Sequence, residues 1–129
     1  MKYVYPAVFT PEETGFSIDF PDIESCYTCG DDLVDGIEMA EDILASRLYD
    51  IEVSGKTVPD PSPLDTLVLK NGEFSTLVHC DTIVYRKLKN GKAVKKTLSI
   101  PQWMDEMASE KGINFSKVLQ DALAAQLQG

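Results

Sequence analysis

The sequence holds few residues on which covalent chemistry could be built. Its 129 residues include one histidine, His79, three cysteines and one tryptophan. A single imidazole excludes a histidine-rich metal centre, and an acid–base enzyme would have to lean on that ring or on carboxylates. The cysteines are Cys26-x-x-Cys29 and Cys80. No thioredoxin-like strand and helix surround the pair, so reduced, buried thiols are expected rather than a redox couple or a disulfide framework. Zinc would need a fourth ligand. His79 and Cys80 are neighbours in a predicted strand and point to opposite faces, so only one of them can join the pair. No metal and no cofactor is expected. Also missing are an apolar run long enough for a membrane span and a signal-peptide pattern at Met1-Lys2-Tyr3-Val4, so a cytoplasmic protein away from the membrane is expected.

Basic side chains are scarce too, 12 against 21 acidic, for a net charge of −9. Taken alone, that balance argues against nucleic-acid binding. The distribution reverses the argument, because residues 86–129 hold eight basic and four acidic side chains while residues 1–85 hold four and 17. Such asymmetry points to two partners, a nucleic acid for the basic end and a basic protein for the acidic end. A merely solvated acidic surface is the bland alternative.

The strongest pattern lies at the carboxyl end. Lys95-Lys96-Thr97-Leu98-Ser99-Ile100-Pro101 reads as a short alternating strand, with Leu98 and Ile100 on one face and Lys95, Thr97 and Ser99 on the other. Pro101 can open a helix, whose first amides lack partners anyway. From Gln102 to Lys111, Trp103, Met104, Met107 and Ala108 recur at helical spacing. Gly112 suits a left-handed helix end and Asn114 an N-cap. Phe115, Val118, Leu119, Ala122, Leu123 and Leu127 then continue an apolar stripe. So small a unit cannot bury its apolar face alone and calls for a second copy. This order of elements is that of a ribbon-helix-helix module, in which two chains pair their strands and the ribbon enters the DNA major groove.

The dimer core would comprise Leu98, Ile100, Trp103, Met107, Phe115, Val118, Leu119 and Leu123. Lys95, Thr97 and Ser99 would read base edges. Lys92, Lys96 and Lys117, with the helix start at Asn114, Phe115 and Ser116, would hold phosphates. A helical hairpin packed on the rest of the chain, without DNA, is the competing reading.

The first part of the chain reads as an α+β domain. Strands are expected over Tyr3–Thr10, Phe16–Phe20 and near Cys26–Cys29, with Tyr3, Tyr5, Phe9, Phe16 and Phe20 in the core. A helix capped by Asp31 or Asp32 follows, with Leu33, Ile37, Ala40, Ile43, Leu44 and Leu48 as its buried stripe and Glu38, Glu41 and Asp42 largely on its wet side. Pro59-Asp60-Pro61-Ser62-Pro63 is an irregular connection. Phe74–Cys80 supplies another strand, with Ile83-Val84-Tyr85 a candidate extension, and Lys89-Asn90-Gly91-Lys92 a hinge. The expected organisation is therefore residues 1–88, a hinge at 89–93 and a module at 94–129.

In that order, Tyr5-Pro6-Ala7-Val8-Phe9, Gly15-Phe16-Ser17-Ile18, Phe20-Pro21-Asp22-Ile23, Cys26-Tyr27-Thr28-Cys29-Gly30-Asp31 and the proline-rich segment resemble the HicB antitoxin family. The tail, including Gly112-Ile113-Asn114-Phe115-Ser116-Lys117-Val118, is similar to its ribbon-helix-helix variant. Ser25 stands where many family members carry glycine. The resemblance implies a partial ribonuclease-H-like sheet with a covering helix and no working nuclease centre, followed by the dimerising tail. It also implies an antitoxin that neutralises a small, basic, RNA-cleaving HicA-like toxin with a catalytic histidine, and that represses its own operon by binding operator DNA.

Glu12, Glu13, Asp22, Glu24, Asp31 and Asp32 are the candidate toxin-facing carboxylates, able to compete with RNA phosphates. A homodimer through the carboxyl end is expected, with higher assembly left open. No catalytic residue is assigned. Two other readings stand beside this one: a free-standing repressor whose first domain senses a ligand, and a metal-dependent nuclease using Asp19 or Asp22.

Overall fold

The computed structural model describes residues 1–128, in two compact units, Met1–Lys92 and a second unit from Ala93 onward. In the first unit, β1 (Lys2–Pro11), β2 (Phe16–Asp19), β3 (Tyr27–Gly30) and β4 (Phe74–Asp81) form an antiparallel sheet in the order β3-β2-β1-β4. Register follows the apolar alternation. Phe9 faces Ile18 and Phe74, and Tyr5 faces Val78. Odd-numbered β1 residues therefore share one face with Ile18, Val78 and Cys80. The helix α1 (Leu33–Ser54) covers that face, and Tyr5, Ala7, Phe9, Ile18, Ala40, Leu44, Leu48 and Val78 are buried beneath it. Phe20 is buried as well, while Tyr3 and Phe16 pack at the margin of the core. On strand β4, Cys80 points inward and His79 outward.

The stripe of α1 departs from the apolar period at its first turns. Leu33 and Ile37 are exposed, and Gly36 takes the buried position. The reason is close approach. A Cβ on Gly30 would lie 2.4 Å from the Gly36 Cα, and one on Gly36 would lie 3.3 Å from the Ile18 Cδ1. Only the small face of the helix fits there, so its larger apolar residues turn outward. The helix runs on to Ser54 and is capped by Gly55, which adopts a left-handed conformation.

Ile83-Val84-Tyr85 do not extend a strand. They lie in α2 (Thr82–Lys89), capped by Asp81, whose carboxylate accepts from the Ile83 amide at 2.9 Å. A three-residue apolar run fits either period, and the cap decides between them. Arg86, Lys87 and Lys89 consequently belong to the first unit. From Ala93 onward, four lysines face four carboxylates, so the basic surplus of residues 86–129 comes from α2 and Lys92.

In the second unit, α3 (Gln102–Glu110) and α4 (Phe115–Leu127) are joined through Gly112, at φ 65°, with Gly112 N–H bonded to Ser109 O and Ile113 N–H to Ala108 O. Asn114 caps α4 by accepting from the Lys117 amide at 3.1 Å. Pro101 stands at the N-cap of α3, one place before the first helical residue. Residues 92–101 form no strand in the single chain. A strand needs a ladder partner, and none is present among the described residues. No described helix is long and apolar enough to cross a membrane.

Candidate interaction surfaces

The second unit is a module without an interior. None of its described residues is buried; only Ala108 and Leu119 are half-covered. Leu98 is 54 % exposed and Trp103 61 %. Ile100, Met107, Phe115, Val118 and Leu123 are likewise open. Apolar surface of this extent on two short helices marks a face meant to be covered.

Lys95, Lys96, Thr97 and Ser99 are exposed beside it. Asn114 spends its side-chain oxygen on the Lys117 amide, which leaves the Phe115 and Ser116 amides as the pair at the α4 start able to meet an anion. The Lys117 ammonium pairs with Asp121 at 3.2 Å, an exposed i,i+4 contact of little energetic weight.

The six carboxylates expected to face a toxin lie at two ends of the sheet. Phe16 pairs with Gly30, so the turn bearing Glu12 and Glu13 lies at the same end of the sheet as Asp31 and Asp32. Asp19 pairs with Tyr27 at the opposite end, where the loop bearing Asp22 and Glu24 begins. Several are already engaged. Glu12 accepts from the Ser17 hydroxyl, and Asp32 from the Asp35 amide as the α1 cap, both at 2.8 Å. Asp22 accepts from the Ser62 amide and hydroxyl, tying the proline-rich segment to this loop. The Tyr5 hydroxyl donates to the Pro59 carbonyl and anchors the same segment. Among the described residues no three His, Cys, Asp or Glu side chains converge as a metal site requires.

Two features escaped the sequence. The first is a hub at Glu52, which accepts from the Tyr3 hydroxyl at 2.7 Å, the Thr82 hydroxyl at 2.9 Å and Arg86 at 3.3 Å. Burial pushes the Glu52 carboxyl up, but these donors outweigh it and hold its pKa below the ordinary value. Burial, and then the hydrogen bond to Glu52, push Tyr3 up to about 12. Above the hub, Arg86 lies 4.9 Å from the centre of the Tyr49 ring, and Tyr49 meets Tyr85 edge-on.

The second is a groove of about 420 Å³ between α1, β4 and α2, with Glu38, Glu41 and Asp42 on one side and Val84, Tyr85 and Leu88 on the other. Glu38 stands three and four residues before Glu41 and Asp42, a like-charge spacing that costs a helix about 0.2–0.5 kcal/mol per pair. The Asp81-Thr82 cap signal could have revealed α2 and with it the groove.

Sheet, helix and module make a two-part protein, one part carboxylate-rich with a buried core, the other helical with its apolar face exposed. Residues 5–123 match the family described as HicB_like antitoxin of bacterial toxin-antitoxin system. The chain belongs to that family. It is similar to a chain of a toxin-antitoxin complex from Streptococcus pneumoniae, with 28% identity and a TM-score of 0.65 over 98% of this chain and 99% of that one. The antitoxin HicB3 is 26% identical with a TM-score of 0.53, over 94% and 95% of the two chains. The Burkholderia pseudomallei antitoxin HicB, 19% identical, shares the fold with a TM-score of 0.55 over 94% and 96%. None of the curated proteins compared with the chain matches it.

Proposed function

We propose that this protein is the antitoxin of a HicA/HicB-type pair, acting without catalysis of its own. Its first unit neutralises a small, basic, RNA-cleaving HicA-like toxin. Its second dimerises as a ribbon-helix-helix module and represses the operon by gripping operator DNA. The reading is carried by the family match across both units, 5–123, which accounts at once for a carboxylate-rich domain and a helical module that cannot cover itself.

In the dimer, Leu98 and Ile100 line the inner face of the paired strands, with Trp103, Met107, Phe115, Val118, Leu119 and Leu123 as the shared core. The alternation then turns Lys95, Thr97 and Ser99 outward to base edges, as a strand in the major groove requires. Lys92, Lys96 and the amides of Phe115 and Ser116 meet phosphates. On the toxin, a polyanionic surface of the first unit competes with RNA for the same cations.

Co-expression with the product of the adjacent reading frame is the test. Cells should survive that product only when this chain is present, and the two should co-purify. Purified chain should also retard DNA from its own promoter. Persistent toxicity, or an adjacent product that is neither small nor basic, refutes the antitoxin reading.

A further inference from the structure

We propose that the groove between α1, β4 and α2 seats a lysine- or arginine-bearing amphipathic segment of the toxin. This assignment rests on the antitoxin reading and replaces the scattered carboxylates by one contiguous surface.

Three observations favour it. The groove has two kinds of lining on facing sides. Glu38, Glu41 and Asp42 supply charge from α1, while Val84, 53 % exposed, and Leu88, 83 % exposed, supply apolar surface from α2. The long stem of Lys or Arg fits this pairing, since its methylenes lie on apolar surface while its head reaches a carboxylate.

The charge is also uncompensated. Among the described residues, Glu38, Glu41 and Asp42 take part in no ion pair; of the three cations on α2, Arg86 pairs with Glu52, Lys89 lies over the Tyr49 and Tyr85 rings, and Lys87 makes no ion pair with them. Cys80, in the groove lining, has its thiol pushed up to about 11 chiefly by burial, with Glu41 the one groove carboxylate of α1 that adds to the rise.

The occupant must also be macromolecular and basic. A small anion would be repelled, a bare cation would leave the apolar wall unused, and no metal-binding trio exists among the described residues. Carboxylates crowded at helical spacing repel one another, and a cationic partner removes that repulsion.

The test uses the full-length chain and the HicA-like product of the adjacent reading frame, with Kd measured by calorimetry at two salt concentrations. Glu38→Lys, Glu41→Lys and Asp42→Lys together should weaken binding by at least about thirtyfold and flatten its salt dependence. Leu88→Glu alone, at an exposed site, should cost about tenfold. Asp65→Lys, an exposed carboxylate in the short turn Leu64–Thr66 outside the groove, should stay within about threefold of the native chain.

Unchanged binding by the folded triple variant, or by Glu41→Lys and Leu88→Glu singly where the triple variant does not fold, overturns the groove while the antitoxin reading stands. Absence of binding by the native chain overturns both.

Discussion

Glu52→Ala should destabilise the first unit more than any other single carboxylate replacement, although the residue is neither in the apolar core nor at a cap. Its side chain is 17 % exposed and serves three donors. Hydrogen bonds to an ionised group contribute about 1.5–3 kcal/mol each when their loss leaves the donor dry. The three are not equal. Arg86 is 46 % exposed on its side chain and regains water, so its pair contributes well under 1 kcal/mol. Thr82 is fully buried but keeps the Met1 carbonyl at 3.2 Å as a second acceptor. Tyr3 is half-buried and loses the Glu52 carboxylate, its hydroxyl's acceptor among the described residues.

The net expectation is a loss of about 2–3 kcal/mol, roughly 10–20 °C in Tm for a unit of this size. Urea unfolding followed by circular dichroism measures it. The sign with pH is fixed by the depressed carboxyl. The advantage of native over variant is complete above the ordinary value of 4.5 and is lost as pH falls through the lower folded-state value. At the alkaline end, the Tyr3 phenol, raised from 10.0 to about 12, makes stability fall as pH climbs through that interval. A loss below about 0.5 kcal/mol at neutral pH, or a difference that persists undiminished at pH 3, would refute the hub.

Four further expectations follow from the geometry. Ser25 sits at φ 56° with its carbonyl held by Arg47 at 2.9 Å; Ser25→Gly should raise stability by about 0.5–1 kcal/mol by relieving the left-handed backbone, and a lower midpoint in urea would show the strain argument to be wrong. Burial pushes the Cys26 thiol up to about 12 and Cys80 to about 11, whereas Cys29 is exposed; a thiol reagent at pH 8 should titrate one cysteine in the native protein and three in denaturant. Leu98→Asp should yield monomers in sedimentation, since the dimer would have to bury a charge, while a persistent dimer would place the strand outside the interface. Thr97→Ala or Ser99→Ala should reduce operator binding selectively, and Lys96→Ala should weaken all DNA evenly and lower the salt slope by about one; equal effects from all three would remove the base-reading role.

Much of the first unit was legible because strand period, turn residues and length agree. The aromatics at Tyr5, Phe9 and Phe20 are buried as their alternation required, and Phe16 packs on the same core. The sequence misled where side-chain size mattered more than polarity. Gly36 packs where Leu33 and Ile37 were expected, because the helix crosses β3 at backbone contact. It misled also at Ile83–Tyr85, a candidate strand extension that is helical, because three apolar residues suit both periods. Ser25 was noticed only as a departure from a glycine, and its φ supplies the reason. The candidate toxin-facing carboxylates rest on charge alone, and charge carries no information about which end of a sheet a loop occupies.

By itself the sequence determined the local elements of this protein: the alternating strands, the capped helices, the Gly112 helix end and the apolar stripe of α4. These depend on neighbours within a few residues, where spacing and backbone preference are enough. Only the tertiary structure decided what lies opposite what: Glu52 beneath Tyr3 and Thr82, Gly30 against Gly36, and the α1 carboxylates across from Val84 and Leu88. Those pairings join residues six to 50 positions apart in sequence, and they arise from how the helix lies across the sheet, a geometry set by the packing of all the core side chains together rather than by any segment alone.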